Sequence, residues 1–337
     1  MTINRRSFLK QMGLGSTALA LTPSRVRAQA MTKIRLGYLH TLAVDGQIWL
    51  ADSMGTWKKE GLDIEFREFT TGIELFQALI GNSIDVLATG AVISNFPARG
   101  QGKAFLINNI EWATAQLWVH PQQGVNTIQD LKGKKISTTR GTTAHVFLHR
   151  ALKSAGLDST KDVEIVNQRM SEAVTSFIAG AVPAVALWVP FNIAVKGKVP
   201  TAKMLVDASA YYPEAAIIGG WAARNELYDT NKELLKKIIR AWVPANDFLV
   251  KKSEEAIPLL QKTRYQNVPI DDLWAQYRAQ KVFTAEEWVT LYRDGTVAKW
   301  LNQVTNFNVE VGAFTNPVPA EKYFDQSLYL EVVAGKK

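Results

Sequence analysis

The sequence predicts an α/β protein of two lobes, with mostly parallel sheets flanked by helices, on three observations. Apolar alternating stretches and helical-period stretches succeed one another through short Gly-containing joints. The 337 residues exceed what one hydrophobic core normally serves. Helical stretches also repeatedly follow a strand through Thr or Gly, which is where open α/β sheets place their ligands. Taken in order, residues 34–39 alternate as a strand, 47–59 have helical spacing closed by Gly61, and 62–69 alternate again. Thr71-Gly72 open a helix through Leu75, Leu79 and Ile80 that Gly81-Asn82 close, and 84–89 form a buried strand. Residues 105–107 and 116–119 are further strands. A second unit starts at Leu131, with strand 135–139, a helix from Thr142 stopped by Gly156, strand 163–166, helix 171–179 and the buried run 184–188. The Gly-punctuated stretch 216–222 suits a strand returning to the first lobe. From Asn231 the chain is helical over 234–250, 253–262, 270–279 and 285–302, and 317–333 reads as a turn and a short docking helix.

The first thirty residues read as an export leader. Asn4-Arg5-Arg6-Ser7-Phe8-Leu9-Lys10 is a twin-arginine pattern, with Asn4 where Ser or Thr is common; a mildly apolar run and Ala28-Gln29-Ala30 as a small-residue cleavage site follow. The apolar run, 12–21, is about half the roughly 20 residues a spanning helix needs. Cleavage is expected after Ala30, giving a periplasmic protein that begins at Met31. That leader holds five of the 39 basic residues and no acid, so the remainder has 34 basic against 31 acidic groups, a formal +3. The charge is ordinary for a soluble surface, and no basic aromatic stripe points to nucleic acid. With no cysteine, disulfides, thiolate metal sites and a lipid-modified N-terminal Cys are excluded.

Candidate site residues cluster where strands end. The segment from Asp130 to His145 runs from a strand into Arg140-Gly141, and Thr142-Thr143 then open a helix. Unpaired backbone N–H groups, two hydroxyls and a guanidinium would form a cradle for a small anion. In the other lobe, the loops after successive strands offer His40 and Thr41, then Thr71 and Gly72, then Thr89 and Gly90. Asn108, Asn109, Glu111 and Trp112 lie near the first passage between lobes. No nucleophile accompanies these groups, and Gly-X-Ser-X-Gly is absent, so the site is expected to hold rather than to react. His145 and His149 have zinc-compatible spacing, but no third ligand stands at a fixed interval, so helix packing is expected and neither metal nor cofactor is.

These residues resemble the solute-binding proteins of ABC importers in the nitrate, sulfonate and taurine group, with relatives that bind aromatic acids and thiamine-pyrimidine precursors. The signposts are Ile34-Arg-Leu-Gly-Tyr38, Trp57-Lys-Lys-Glu-Gly-Leu62, Gly81-Asn-Ser-Ile-Asp85, Asp130-Leu-Lys-Gly-Lys-Lys135, Gly141-Thr-Thr-Ala-His145, Gly180-Ala-Val182 and Trp188-Val-Pro-Phe191. The resemblance implies a type II periplasmic binding protein fold with two crossover strands. It would place 31–118 with 222–337 in lobe one and 119–221 in lobe two. It also implies a monomer that captures its ligand by cleft closure and delivers it to a permease and its ATPase subunits. Gly141, Thr142 and Thr143 match the group's anion-contacting loop, and Trp188 and Phe191 its aromatic wall. Relatives often carry acids where this chain has Pro183 and Val189. The resemblance therefore favours an organic anion without an amine, a sulfonate or a carboxylate, with Glu111 the remaining partner for an ammonium group. Taurine, nitrate and pyrimidine precursors are the alternatives. A thiamine-pyrimidine synthase shares the fold, but its cysteine-rich motif has no counterpart in a chain without cysteine.

Overall fold

The computed structural model describes residues 31–335, so the leader expected over 1–30 lies outside the described residues. Alternating apolar stretches become strands and Thr- or Gly-led stretches become helices. The first set is β1 (Thr32–Leu39), α1 (Leu42–Ser53), α2 (Thr56–Lys59), β2 (Leu62–Phe69), α3 (Gly72–Ile80), β3 (Val86–Thr89) and β4 (Lys103–Ile110). The second is β5 (Ala115–Val119), β6 (Lys135–Thr138), α4 (Thr143–Ser154), β7 (Glu164–Asn167), α5 (Met170–Ile178), β8 (Ala184–Trp188), α6 (Phe191–Lys198) and β9 (Lys203–Asp207). β10 (Ile218–Ala223) follows, then α7 (Asn225–Thr230), α8 (Lys232–Lys251), α9 (Ser253–Thr263) and α10 (Ile270–Ala279). The chain continues through α11 (Ala285–Arg293), α12 (Thr296–Glu310), α13 (Ala320–Tyr323) and α14 (Ser327–Val333).

Two five-stranded sheets result, ordered β2-β1-β3-β10-β4 and β7-β6-β8-β5-β9. They are mixed, which refines the expectation of mostly parallel sheets. β1 pairs in parallel with β2 and β3, whereas β10 pairs antiparallel with both β3 and β4. The second sheet repeats this, with β5 antiparallel to β8 and β9. Four strands in each sheet thus run one way, and the fifth opposes them. That opposing strand, β10 or β5, is in each case the first strand after a passage between the sheets, so it enters from the end at which its neighbours finish.

Sequence and structure differ at several elements. The helix read over 47–59 starts earlier, at Leu42, and breaks at Gly55; the helix read over 285–302 breaks at Gly295. Both glycines have left-handed φ, of 67° and 81°, a conformation that ends a right-handed helix. β9, α6 and α7 were not expected. β9 is a half-exposed edge strand, KMLVD, and α6 and α7 are short, so each carries little periodic signal.

Each sheet has its own apolar core. Leu36, Phe76, Leu87, Phe105, Trp221 and Trp242 belong to the first, and Leu117, Ile136, Phe147, Phe177 and Leu187 to the second. α12 joins both, with Trp300 and Leu301 in the first core and Val304 and Phe307 in the second. The two passages between sheets, β4 to β5 and β9 to β10, run side by side: the Glu111 amide donates to the Ile217 carbonyl at 2.8 Å, and Trp112 meets Tyr212 edge-on at 5.0 Å. A segment from the helical tail seats them. Lys281 exchanges backbone hydrogen bonds with Ile110 at 2.8 and 2.9 Å, and its Nζ lies 4.7 Å from the ring centroids of both Trp112 and Tyr212.

Phe147 is wholly buried in the second core. Phe147→Ala is expected to cost about 3–5 kcal/mol of stability, measured by urea denaturation; a loss under about 1 kcal/mol would show that α4 is not held by that core.

Candidate functional site: a cavity at the strand ends

β1, β2, β3, β6 and β8 all finish near one space. Leu39, Thr41, Ala43, Val44, Gly72, Thr89, Gly90, Val92 and Glu111 line it from the first sheet and the first passage, and Thr142, Thr143, Trp188 and Val189 line it from the second. The space between these residues, counted with its mouth open to solvent, is about 430 Å³.

Helix starts supply much of this lining. Thr41 precedes α1, Thr71 precedes α3 and Thr142 precedes α4, all three with extended backbone. The first-turn N–H groups of a helix have no partner within it, and the helix dipole makes that end positive. Ala43 and Val44 of α1, Gly72 of α3 and Thr143 of α4 bring three such ends to the cavity wall. Gly90 stands before a fourth, the short 3-10 turn Ala91–Ser94.

The two sheets meet at the same place. Thr143 Oγ1 accepts the Ala91 N–H at 3.1 Å, and a Cβ on Gly90 would lie 2.6 Å from Thr143 Oγ1 and 2.7 Å from Glu111 Oε1. Only glycine allows so close a meeting of three segments. Beyond the cavity, Arg169 at the start of α5 pairs with Glu74 of α3 at 3.1 Å. Thr89 is fully buried, and its hydroxyl, on the cavity wall, has no hydrogen-bond partner among the described residues. Such an orphan polar atom is costly unless something enters to meet it.

Of the residues singled out in the sequence, Thr41, Gly72, Thr89, Gly90, Glu111, Thr142, Thr143 and Trp188 are brought together as lining. The others lie outside it. His40 is exposed, with Nδ1 2.7 Å from the buried Asp45 carboxylate and its ring stacked on Tyr265 at 4.5 Å; the Asp45 bond raises its pKa. Asp45 also accepts from Trp49 Nε1 and the Tyr265 hydroxyl, which ties α1 to the helical tail. Thr71 caps α3 in a reciprocal pair with Glu74. Trp112 packs on Tyr212 beneath Lys281. Phe191 stands edge-on behind Trp188 at 5.7 Å.

Arg140 does not supply its guanidinium to the cavity. It is exposed, its amide donating to Asn167 Oδ1 at 2.9 Å and its Nη2 to the Ile165 carbonyl at 3.4 Å, both on β7. The Gly141 N–H donates to His145 Nδ1 at 3.0 Å, one turn into α4. Burial keeps that ring neutral, with its pKa lowered to about 4. His149 also has its own partners, Ser159 Oγ at 2.6 Å and Glu310 at 2.9 Å. Sequence reading missed the apolar walls Leu39, Ala43, Val44 and Val92, while Val189, noted there for the acid it replaces, lines the cavity. Ala43 and Val44 were findable, since they occupy the first turn after Thr41.

Glu111 sits apart chemically. It is 6% exposed, and burial pushes its carboxyl up to about 7, opposed by a hydrogen bond from the Thr114 hydroxyl. The lining contains no Lys, Arg or His, so this carboxyl is the one ionisable side chain on the cavity wall among the described residues.

Comparison with known proteins places this architecture. Residues 46–256, more than half of the chain, match the family model described as NMT1/THI5 like. The chain belongs to the NMT1/THI5-like family. This family member is 30% identical over 322 residues to a protein of Brucella abortus (strain 2308) provisionally named a binding protein, covering 96% of this chain and 98% of that one. It is 26% identical over 220 residues to an Escherichia coli (strain K12) protein provisionally named an aliphatic sulfonates-binding protein, covering 64% and 66% of the two chains. Among solved structures, the alkanesulfonate-binding protein SsuA from Xanthomonas axonopodis pv. citri bound to MOPS matches with a TM-score of 0.71 at 19% identity, over 87% of this chain and 98% of its own. The periplasmic nitrate-binding protein NrtA from Synechocystis PCC 6803 matches with a TM-score of 0.63 at 14% identity, over 88% and 92%. The fold of the NMT1/THI5-like chain is accordingly the α/β fold of those periplasmic binding proteins.

The Glu111 shift sets a pH dependence. Its folded pKa lies above the ordinary 4.5, so the folded chain holds the proton more tightly than the unfolded one. Stability contributed by this group falls as pH rises from 4.5 to about 7 and stays low above it. Glu111→Gln is therefore expected to stabilise the ligand-free protein by about 3 kcal/mol at pH 8 and to give no gain at pH 4. Urea titrations at the two pH values check this; an equal gain at both would remove ionisation as the cause.

Proposed function

We propose that this protein is the periplasmic substrate-binding component of an ABC importer, which captures a small organic anion and presents it to a permease and its ATPase subunits. The observation that carries the reading is the cavity itself: three helix starts and the Thr89 hydroxyl, which has no hydrogen-bond partner among the described residues, meet at one space between two sheets. Backbone N–H groups at helix starts suit a sulfonate or a carboxylate, which accepts several hydrogen bonds at once. The sulfonate-binding names among relatives and the alkanesulfonate and nitrate ligands of structural neighbours support the same class. No helix among the described residues is long and apolar enough to cross a membrane. The twin-arginine pattern is the route this reading assigns to export.

Capture works by closure in this reading. The lobes expected over 31–118 with 222–337 and over 119–221 shift at both passages, because β5 (Ala115–Val119) belongs to the second sheet and β10 (Ile218–Ala223) to the first. The Ala91–Thr143 and Glu74–Arg169 contacts join the two, so they form together with the ligand contacts and release with them. Ligand binding then shifts an equilibrium between separated and joined lobes by the difference in its affinity for the two.

A thermal-shift panel of ethanesulfonate, other alkanesulfonates, nitrate, benzoate and phthalate tests the class. A bound member at about 100 times its Kd is expected to add about 2.7 kcal/mol of stability. Small-angle scattering at saturation is expected to show a smaller radius of gyration. A panel with no stabilising member would overturn the anion reading, and an unchanged radius with a tight ligand would overturn closure.

A further inference from the structure

An anion that enters the cavity shares a wall with the Glu111 carboxyl, and no Lys, Arg or His lines that wall among the described residues. Glu111 is buried, and its Oε2 accepts from the Thr114 hydroxyl. No hydrogen bond among the described residues reaches its other oxygen, Oε1, which lies at the seam between the sheets, where a Cβ on Gly90 would meet both it and Thr143 Oγ1. Charged groups on the elements around it are engaged elsewhere. His40 pairs with Asp45 at the start of α1, Glu74 of α3 pairs with Arg169 of α5, and Lys281 of the tail lies over Trp112 and Tyr212. Arg140 turns to β7, and burial keeps His145 of α4 neutral. Two negative charges in one buried space, with no counter-charge, favour protonation of the weaker acid. A sulfonate or nitrate is the conjugate base of a strong acid, so the group that takes the proton is Glu111.

We propose that Glu111 takes up one proton from solvent as the anion enters and donates it to the anion in a hydrogen bond, so that capture is coupled to protonation. This inference rests on the small-anion reading and adds the second species that is captured. With the Thr114 hydroxyl on Oε2, Oε1 is the oxygen left to carry the proton. A neutral carboxylic acid gives the anion a side-chain donor without placing a fixed positive charge in the empty cavity. Burial prepares the group for this, since it already pushes the pKa up to about 7 against the Thr114 hydrogen bond. Release reverses the step: separating the lobes returns the carboxyl to water, and the proton leaves with the anion. An ammonium partner for Glu111 would have the opposite effect, because it would hold the carboxylate ionised and no proton would be taken up.

Counting protons tests the coupling. The intact chain is titrated with ethanesulfonate, nitrate and benzoate in a pH-stat without buffer, and calorimetry in Tris gives each Kd. With the Glu111 pKa raised from about 7 to about 9 by the bound anion, binding is expected to take up about 0.8 proton at pH 8 and almost none at pH 5.5. Proton uptake makes affinity fall as pH rises, so Kd is expected to increase about sixfold from pH 7.5 to 8.5. Glu111→Gln keeps a neutral donor and is expected to bind without proton uptake, at a Kd that no longer changes with pH. Glu111→Ala has no donor and is expected to bind about tenfold more weakly than Glu111→Gln. The urea midpoint of each variant reports that it is folded. Binding at pH 8 without proton uptake, or an uptake that persists in Glu111→Gln, would overturn the proposal and leave the small-anion reading standing. If none of the three anions binds at either pH, the small-anion reading falls and this one with it.

Discussion

The first turn of a helix leaves N–H groups that its own backbone does not use, and much of this molecule is arranged around where those groups go. α1, α3 and α4 all begin within a few residues of a strand end, and strands of both sheets end at one space. A charged side chain could have done the same electrostatic work, but it would bring a long stem and rotamer entropy into a small cavity. Backbone groups come already fixed by the sheets behind them. The consequence is that positive potential in the cavity depends on helix placement, so the polar tethers of those helices become functional parts. Asn108 Nδ2, donating to the Ala43 carbonyl at 2.8 Å, and Asp45, gathering Trp49, His40 and Tyr265, hold the start of α1 in place.

Much of the fold could be read from the chain because local signals agreed with one another. β2, β8 and α10 fall at the bounds read for them, Leu62–Phe69, Ala184–Trp188 and Ile270–Ala279. Weak elements escaped for the same reason reversed, as with β9, whose residues are half exposed and alternate poorly. Strand order within the sheets is set by long-range pairing, and nothing in residues 216–222 says that the returning strand would sit antiparallel between β3 and β4 rather than at an edge. The site divides likewise. Thr and Gly at strand ends are visible because turn and cap chemistry restricts those positions, and six of the residues chosen that way line the cavity. Leu39 and Val92 were invisible because an apolar side chain on a cavity wall has the same local pattern as one in a core. Arg140 misled because a charge beside a glycine shows its sequence position but not its direction, and the chain turns it toward β7.

Glu111 shows why a buried acid and a set of helix starts belong to one argument. Either alone has an ordinary structural meaning, a satisfied core carboxyl or a capped turn. Together on one wall, with no basic side chain beside them among the described residues, they define a dipolar space rather than a positive one. The Thr114 hydroxyl and the Glu111 amide bond to Ile217 fix that carboxyl at the seam, so its position is coupled to the two passages on which any rearrangement of the sheets would turn.

The opposed strands also order events during synthesis. All five strands of the second sheet lie between Ala115 and Asp207, one uninterrupted length of chain. The first sheet cannot close its ladder until β10, Ile218–Ala223, has been made, because that strand separates β3 from β4. The half of the protein that is translated first is therefore the half that finishes later, with the facing edges of β3 and β4 unpaired in the meantime. Pairing of high sequence separation is slow, and exposed strand edges are where chains stick to one another. The newborn chain thus has a vulnerable interval that begins when β4 emerges and ends when β10 arrives.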